Sequence, residues 1–399
     1  MEWAIKSSQI VFPDEIKTGY LVISNEKITG FCTDYQGEIT DYGDRIIMPG
    51  FIDIHIHGWG RGSFAHKGSY DSLSRMSKDL VHTGTTAYLA TSGAMPNDFL
   101  EFSLAQAADY IESAKAENGA EVIGIHMEGP YINSEYLGMQ CADALQPPSI
   151  SGFKKFNQIA RGYIRSMTLA PELSGGLELI KYLRARNITV AAGHTAATFQ
   201  EITQAIKEAG LNHFTHAYSA MRGFHHRELG VVGALMYHQE AYAEVAKQTG
   251  ITISPEAFDI LYRLKTDKRM VLTTDCVGFA DFPQGHEFYH YLRKQKFKIQ
   301  ANGNLRLENE DGSYSEIDTS RYENIKHLEM SFLESVQAIF PRLNNGLLSV
   351  AKIASENPAF LAGVSARKGS LEVGKDADIL VLDNKLNLLQ VYCLGCCQL

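Results

Sequence analysis

The stretch Met48-Pro-Gly-Phe-Ile-Asp-Ile-His-Ile-His-Gly58 predicts an apolar strand that ends in two histidines. Because side chains alternate along a strand, His55 and His57 point to the same face. Two imidazoles on one face of a strand end can chelate a single metal ion. His-x-His by itself is more often a pair of ordinary strand-end histidines, so the interpretation depends on the rest of the chain.

The composition is that of a globular protein with ample apolar material. The 399 residues, 45% hydrophobic and 21% charged, suffice for one large barrel-type domain and a smaller one. A net charge of −9 argues against nucleic acid or an anionic membrane surface as the main partner. The sequence has neither a run of about 18 apolar residues nor a signal-peptide pattern at its start, so we expect a cytoplasmic protein.

The cysteines follow no disulfide framework of a small secreted domain. Cys393-x-x-Cys396-Cys397 lacks a second Cys or Cys/His pair that would complete a zinc site, so we interpret these tail cysteines as incidental. The six cysteines are Cys32, Cys141, Cys276, Cys393, Cys396 and Cys397.

Strand and helix patterns alternate through the middle of the chain. Apolar runs predict strands at 46–53, 85–91, 121–128, 162–169, 188–194, 213–216 and 270–275. Amphipathic segments predict helices at 70–83, 96–118, 176–186, 198–210, 255–266, 328–339 and 349–362. Repeated βα units of this length are typical of the α/β class and predict a (β/α)8 TIM barrel.

Both chain ends have β character instead. We predict that residues 1–47 and 366–399 meet in one small β-sandwich domain, beside a catalytic barrel formed by residues 48–365. Residues 283–327 are the least regular segment, and their Asn302-Gly and Asp311-Gly turns predict loops and a hairpin near the site.

Polar side chains stand where the predicted strands end, which is where a (β/α)8 barrel has its chemistry. Glu128, His194 and His216 would form a three-ligand metal site with an open position for water, the arrangement of catalytic zinc. His55 and His57 would hold a second ion that Glu128 bridges. Asp275 would be the general base, taking a proton from the activated water and returning it to the leaving nitrogen.

Six segments carry a resemblance over essentially the whole chain. They are Pro49-Gly-Phe-Ile-Asp-Ile-His-Ile-His-Gly58, His126-Met-Glu-Gly-Pro-Tyr-Ile132, Ala192-Gly-His-Thr195, Thr215-His-Ala-Tyr-Ser-Ala-Met221, Thr273-Thr-Asp275 and Leu371-Glu-Val-Gly-Lys-Asp-Ala-Asp378. With them the chain resembles the amidohydrolase superfamily of metal-dependent hydrolases and, within it, the N-acetylglucosamine-6-phosphate deacetylase family.

The resemblance implies hydrolysis of the N-acetyl amide of an amino-sugar phosphate, releasing acetate. The substrate would be N-acetylglucosamine 6-phosphate or a relative such as N-acetylgalactosamine 6-phosphate. Glu128, His194 and His216 match the family's metal ligands, and Asp275 matches its catalytic aspartate. The cofactor would be one or two divalent ions, with zinc preferred over iron, nickel or cobalt. The resemblance also implies a homodimer in which Arg227 reaches the substrate phosphate in the neighbouring site.

The departures from the family pattern concern the substrate. Ser219, beside Ala220 at the sugar-phosphate contact, stands where the family usually has Asn, and Gln140 stands where many members have a substrate-contacting His. The family's Asp-Gly-x-His after the sixth barrel strand corresponds to Thr249-Gly-Ile-Thr252, so Thr252 replaces a phosphate-binding His.

The family also has a Gly/Ser-rich loop before a Leu-Thr-Met segment, and here the segment Asn324-Ile-Lys-His-Leu-Glu-Met330 stands in its place. Since each lost charge-assisted hydrogen bond removes about 1.5–3 kcal/mol, we expect an altered substrate. Candidate replacement donors are Arg222, His225, His226 and Lys326.

Two other readings remain open. The chain could be another amidohydrolase, such as an N-acyl-amino-acid deacylase, a dihydroorotase-like enzyme or a deaminase. Many of these bridge two metals with a carboxylated lysine, whereas here Glu128 occupies the bridging place. It could also be a catalytically silent homologue that binds a sugar phosphate, although a sensor has no need of the general base Asp275.

Overall fold

The computed structural model describes residues 2–66, 68–246, 252–290 and 293–399. Its strands are β1 Glu2–Val11, β2 Ile16–Ser24, β3 Lys27–Cys32, β4 Glu38–Asp41, β5 Ile46–Pro49, β6 Phe51–Ile56, β7 Gly58–Trp59, β8 Gly62–Ser63, β9 Thr85–Ser92, β10 Glu121–Glu128, β11 Ile164–Leu169, β12 Thr189–Ala192, β13 His213–Phe214, β14 Tyr242–Ala246, β15 Met270–Thr273, β16 Glu287–His290, β17 Gln295–Ile299, β18 Leu305–Asn309, β19 Tyr314–Ile317, β20 Ile379–Leu382, β21 Leu388–Cys393 and β22 Cys396–Cys397.

The helices cover the outside of the parallel sheet. They are α1 Tyr70–Leu80, α2 Asn97–Ser113, α3 Ile150–Ile159, α4 Gly176–Arg184, α5 Phe199–Gln204, α6 Gly230–Tyr237, α7 Pro255–Arg269, α8 Tyr322–Ile325, α9 Phe332–Ile339, α10 Leu347–Ala351 and α11 Asn357–Leu361. Among the described residues, none of the helices combines the length and the apolar character needed to cross a membrane.

Eight parallel strands form the near-closed barrel that the βα pattern predicts. Their order is β6-β9-β10-β11-β12-β13-β14-β15, and every neighbouring pair is parallel. The last barrel strand, β15, lies beside the first, β6, and just after β15 the N–H of Asp275 donates to the carbonyl of His55 (2.9 Å). This closure brings the carboxyl ends of the first and last strands together.

One barrel strand was not predicted. β14 is the five-residue run Tyr-Ala-Glu-Val-Ala, completely buried in the structure but interrupted by a carboxylate at its centre. A charged residue in a short apolar run weakens the pattern of a buried strand. Because β14 is seventh in barrel order, Thr252 follows the seventh strand and not the sixth. The adjoining Thr249-Gly-Ile lies outside the described residues.

Helix boundaries follow local capping signals. The α1 segment ends at Gly84, whose φ of 78° is the left-handed conformation that glycine adopts without strain. The α5 helix begins with a capping box in which Thr198 and Glu201 satisfy each other's backbone N–H groups. The helices α3 and α6 were not predicted.

The two chain ends share one sheet, with the strand order β22-β21-β20-β5-β1-β2-β3 and β4 beside β1. Apolar residues from both ends form its core, including Ile5, Leu21, Ile47, Ile379 and Val381. The strand β5 pairs with β1 on one side and β20 on the other, so it joins the two ends at the point where the chain enters the barrel. The proposed boundaries at residues 47/48 and 365/366 stay a prediction.

The segment 283–327 is more regular than expected. The strands β16 to β19 form a four-stranded antiparallel sheet whose described neighbours are joined in sequence order. Its core contains Phe279, Phe282 and Phe297. Asp281, which stands between Phe279 and Phe282 in sequence, forms an ion pair with Arg75 of α1 (2.7 Å), and this contact attaches the segment to the barrel.

Candidate active site

The strand-end residues meet at one point of the barrel. His55 lies in β6 and Glu128 ends β10, while His194, His216 and Asp275 lie just beyond β12, β13 and β15. Gly193 permits this approach, because a Cβ there would lie 2.7 Å from Cβ of Thr215 on the next strand. Barrel geometry thus gathers residues from five strands into one cluster.

Glu128 is the centre of the cluster and is 2% exposed. Its Oε1 lies 3.3 Å from Nε2 of His55, 3.1 Å from Nε2 of His194 and 3.0 Å from Nε2 of His216. Its Oε2 lies 3.1 Å from Nε2 of His57. One carboxylate therefore faces four imidazoles: Oε1 faces His55, His194 and His216, and Oε2 faces His57.

Two of these histidines are oriented by a backbone carbonyl at their other ring nitrogen. Nδ1 of His57 lies 3.0 Å from the carbonyl of Thr91, and Nδ1 of His194 lies 2.8 Å from the carbonyl of Tyr136. A carbonyl only accepts, so Nδ1 of both rings carries the proton and donates. Nε2 is then the ring nitrogen left for a metal ion, which would replace any proton held there, and metal-binding histidines are oriented in this way.

The donor set fits a divalent ion. The ligand atoms of His55, His57 and Glu128 lie within 4.8 Å of one another, as do those of Glu128, His194 and His216. Nε2 of His55 is buried without a hydrogen-bond partner, an uncommon state for an imidazole nitrogen that a metal bond would resolve. Either triad of nitrogen and oxygen ligands suits zinc and related ions.

The field of the carboxylates favours positive charge at this point. Burial lowers the pKa of His57, but its hydrogen bonds to Asp275 and Glu128 outweigh burial and raise the pKa to about 9. A bound cation would supply the same positive charge and displace the proton. The site is therefore electrostatically prepared for a metal ion.

Asp275 lies beside the cluster, with Oδ1 3.5 Å from Nε2 of His55 and 3.4 Å from Nε2 of His57. Burial raises the pKa of Asp275, but His55 and His57 outweigh it and hold the pKa well below its usual range. Its side chain is 26% exposed, so this carboxylate reaches the open side of the site. The next loop is held by Glu329, whose oxygens accept the N–H groups of Val277 (2.8 Å) and Gly278 (2.9 Å).

Gln140 forms a hydrogen bond with Glu128, one of the candidate metal-binding residues. Its Oε1 accepts the N–H of Ala94 (2.6 Å), which leaves the amide nitrogen to donate to Oε2 of Glu128 (2.5 Å). The orientation of this carboxamide follows from the backbone donor, because only the oxygen can accept. The predicted substrate contact of Gln140 thus stays a prediction, alongside an observed contact with Glu128.

The other predicted substrate residues follow barrel strands, and the structure shows their local contacts. Ser219 donates its N–H to the carbonyl of His216 (2.9 Å), and Ala220 follows it with a left-handed φ of 46°. Thr252 is exposed and its hydroxyl donates to the carbonyl of Ala246 at the end of β14. Arg227 is exposed on the loop after the sixth barrel strand, and its N–H donates to Nδ1 of His225 (3.2 Å).

Two buried polar residues near the cluster escaped sequence reasoning. Glu244, the carboxylate inside β14, lies 2.8 Å from Nδ1 of His55. Burial raises the pKa of Glu244, but His55 and His213 outweigh it and lower the pKa to about 2. His126 pairs with Thr168 (2.8 Å) and burial lowers its pKa to about 3, so it is a neutral neighbour of His55. A polar residue within an apolar run was the available signal for both.

Comparison with known proteins identifies the family of the chain. The model of the amidohydrolase family matches residues 46–395. An N-acetylglucosamine-6-phosphate deacetylase from Bacillus subtilis (strain 168) is 33% identical over 398 residues, covering 98% of this chain and 96% of the relative. An N-acetylgalactosamine-6-phosphate deacetylase from Escherichia coli O157:H7 is 27% identical and covers 90% of this chain and 89% of the relative.

Among solved structures, the N-acetylglucosamine-6-phosphate deacetylase of Pasteurella multocida has a TM-score of 0.82 at 23% identity, covering 100% of this chain and 99% of that chain. This likeness confirms the fold. The chain belongs to the amidohydrolase family, whose members are metal-dependent hydrolases. Within that family, its full-length similarity places it in the family of N-acetylglucosamine-6-phosphate deacetylases.

Proposed function

We propose that the protein hydrolyses the N-acetyl amide of an amino-sugar phosphate, releasing acetate and the amino sugar phosphate. The observation that carries this proposal is the arrangement around Glu128, in which four imidazole Nε2 atoms lie 3.0–3.3 Å from its two oxygens with Asp275 beside them. The likeness to deacetylases of both the glucosamine and the galactosamine series supports the substrate class.

Glu128, His194 and His216 would hold one divalent ion, preferably zinc, with iron, nickel or cobalt as alternatives. His55 and His57, with Glu128 as the bridge, would hold a second. The chemistry that a divalent ion supplies in such a site is Lewis acidity, which lowers the pKa of water and polarises an amide carbonyl.

Asp275 moves the proton. Its carboxylate is ionised at neutral pH, and its place on the open side of the site, 26% exposed, puts it where it can accept a proton. It takes one proton from the attacking water as the C–O bond forms, then delivers it to the nitrogen as the C–N bond breaks. The immediate products are acetic acid and the amine, which become acetate and the ammonium form when the second proton of the water is transferred, and Asp275 is again ionised.

The substrate's phosphate requires cationic donors beyond the metal cluster. We propose that Ser219, Ala220 and Thr252 line the sugar-phosphate side and that Arg227 reaches the phosphate of a neighbouring subunit in a homodimer. A guanidinium suits this role because it binds phosphate bidentately. Arg222 lies on the same loop, where its Nε donates to the carbonyl of Ala196 (2.6 Å).

The experiment that tests the function is acetate release by the zinc-loaded protein. The panel contains N-acetylglucosamine 6-phosphate, N-acetylgalactosamine 6-phosphate, both free sugars and several N-acetyl amino acids. We expect a sugar phosphate to be cleaved at enzymatic rates and Gln140, where many relatives have His, to bias the choice of sugar. Cleavage of N-acetyl amino acids alone would refute the assignment.

The proposed role of Arg227 has its own test. Arg227→Ala should raise KM for the phosphorylated substrate by about tenfold to a hundredfold, because a charge-assisted phosphate contact contributes about 1.5–3 kcal/mol. KM for the unphosphorylated sugar should stay unchanged. An equal effect on both substrates would remove Arg227 from the phosphate site, and sedimentation would test the dimer independently.

A further inference from the structure

We propose that Glu244 is a positioning residue of the metal centre, which orients His55 and the backbone of His216 so that both rings face Glu128. The inference rests on the metal centre put forward above. It concerns a residue on β14 that contacts ligands from both candidate triads. It predicts that metal affinity depends on a carboxylate that is itself too far back to be a ligand.

The first support is the contact with the ring of His55. Glu244 is 1% exposed, and its Oε2 lies 2.8 Å from Nδ1 of His55. An ionised carboxylate accepts and does not donate, so Nδ1 of His55 carries the proton. Nε2 is then the nitrogen available to a metal ion, and it is the buried nitrogen without a hydrogen-bond partner, 3.3 Å from Oε1 of Glu128. Glu244 thus selects the tautomer that can bind a metal.

The second support is the grip on the backbone at His216. The N–H of His216 donates to the same Oε2 of Glu244 (3.1 Å), and the N–H of Ala217 donates to the Glu244 carbonyl (2.9 Å). The φ of His216 is 26°, a left-handed value that is uncommon for a residue other than glycine. Glu244 accepts both hydrogen bonds and so holds this backbone conformation, which directs the ring of His216 towards Glu128.

The third support is the way one side chain joins two groups. His55 belongs to the triad with His57 and Glu128, whereas His216 belongs to the triad with Glu128 and His194. The remaining oxygen, Oε1 of Glu244, faces Nε2 of His213 at 3.3 Å. Because this carboxylate touches one member of each triad, its loss should disturb both together.

The test measures zinc affinity by competition with a chromophoric chelator, without any substrate. Glu244→Gln keeps the size and one acceptor but loses the charge, and should weaken zinc binding about tenfold. Glu244→Leu loses every contact and should weaken it about a hundredfold, within the range typical of groups behind metal ligands. The absorption bands of the cobalt-loaded protein should also change, since they report ligand geometry.

Asn357→Leu is the matched control, because Asn357 is also a buried polar residue (4% exposed) but bonds to the carbonyl of Met270 at the opposite end of β15. It should lower Tm and leave zinc affinity and the cobalt spectrum unchanged. Wild-type zinc affinity in both Glu244 variants would overturn the proposal. If the Glu244 variants lose zinc affinity as expected but the wild-type protein cleaves no member of the panel, the proposed function is refuted and the role of Glu244 is not.

Discussion

Glu128 in the barrel and Asp378 in the chain-end region are both buried carboxylates, but their neighbours differ in kind. Asp378 is 6% exposed and lies 2.5 Å from Nζ of Lys368, which is itself 1% exposed. Lys368 also contacts Glu121 (2.7 Å) and Asp376 (3.0 Å). We call these four residues the Lys368 cluster, and it joins the chain-end sheet to the start of β10.

The neighbours of Glu128 are imidazoles, which can give up their protons and offer lone pairs. In the Lys368 cluster the cation is built into the chain and cannot leave, since burial lowers the pKa of Lys368 but the three carboxylates outweigh it and hold the pKa above its usual value. Buried carboxylates need a compensating charge in either place. A permanent cation makes the Lys368 cluster a structural joint, whereas the imidazoles around Glu128 can exchange their protons for a metal ion.

The largest expected effect comes from the general base. Asp275→Asn should lower kcat by about 10³-fold, since acid–base catalysis contributes about 10²–10⁴-fold. Zinc content should stay at the wild-type level, because Asp275 belongs to neither candidate triad. Acetate release and metal analysis on the same sample check both halves, and full activity would exclude Asp275 as the proton carrier.

The Lys368 cluster should affect stability without affecting chemistry. Lys368→Met leaves Asp378 without its buried cation, whereas Glu121 and Asp376 keep their contacts with Arg367. The substitution should cost about 3–5 kcal/mol of unfolding free energy. Urea unfolding measures this loss. The control is Lys27→Met, which removes a 45% exposed lysine 2.6 Å from Asp376 and should cost less than about 1 kcal/mol. Similar losses for both variants would contradict the distinction between the two lysines.

Removing the metal ion should lower the unfolding free energy, as losing Lys368 does, but here the missing cation is the one beside Glu128 in the barrel. An ion present at about 100 times its Kd stabilises the folded state by about 2.7 kcal/mol, which a chelator should abolish. Glu128→Gln should show no such difference with or without zinc, because Glu128 is common to both triads. A chelator effect that persists undiminished in Glu128→Gln would place the metal elsewhere.

The smallest expected effect is the pH dependence of the Lys368→Met penalty. Burial raises the pKa of Glu121 and Asp376, but Lys368 and Arg367, with Lys27 beside Asp376, together outweigh it and hold both pKa values below their usual range. Their stabilising contribution is therefore present above about pH 4 and is lost as the pH falls through the lowered pKa values.

In Lys368→Met, burial acts on these carboxyls unopposed by the ammonium, and protonation relieves the variant. The difference in unfolding free energy between wild type and variant should thus be largest at neutral pH and shrink by about 1–3 kcal/mol on acidification to about pH 4. Urea titrations at several pH values measure it. A penalty that grows on acidification would contradict the assigned direction of the shifts.

The sequence determined the barrel and the strand-end cluster. Alternating βα units predicted the architecture, and parallel strands of a barrel necessarily bring their carboxyl ends together. For this reason the six polar residues that end predicted strands could be expected to meet, and the structure places the other five around Glu128. The chain-end sheet was predictable from its period-two pattern for the same kind of reason.

Only the tertiary structure decided what holds that cluster in place. Glu244 lies 189 residues from His55 in sequence, on a strand that its own charge made hard to recognise. The carbonyls of Thr91 and Tyr136 orient two histidines, and backbone groups leave no trace in a sequence pattern. Local periodicity reports which face a side chain occupies, whereas hydrogen bonds between distant segments depend on how the closed barrel packs them.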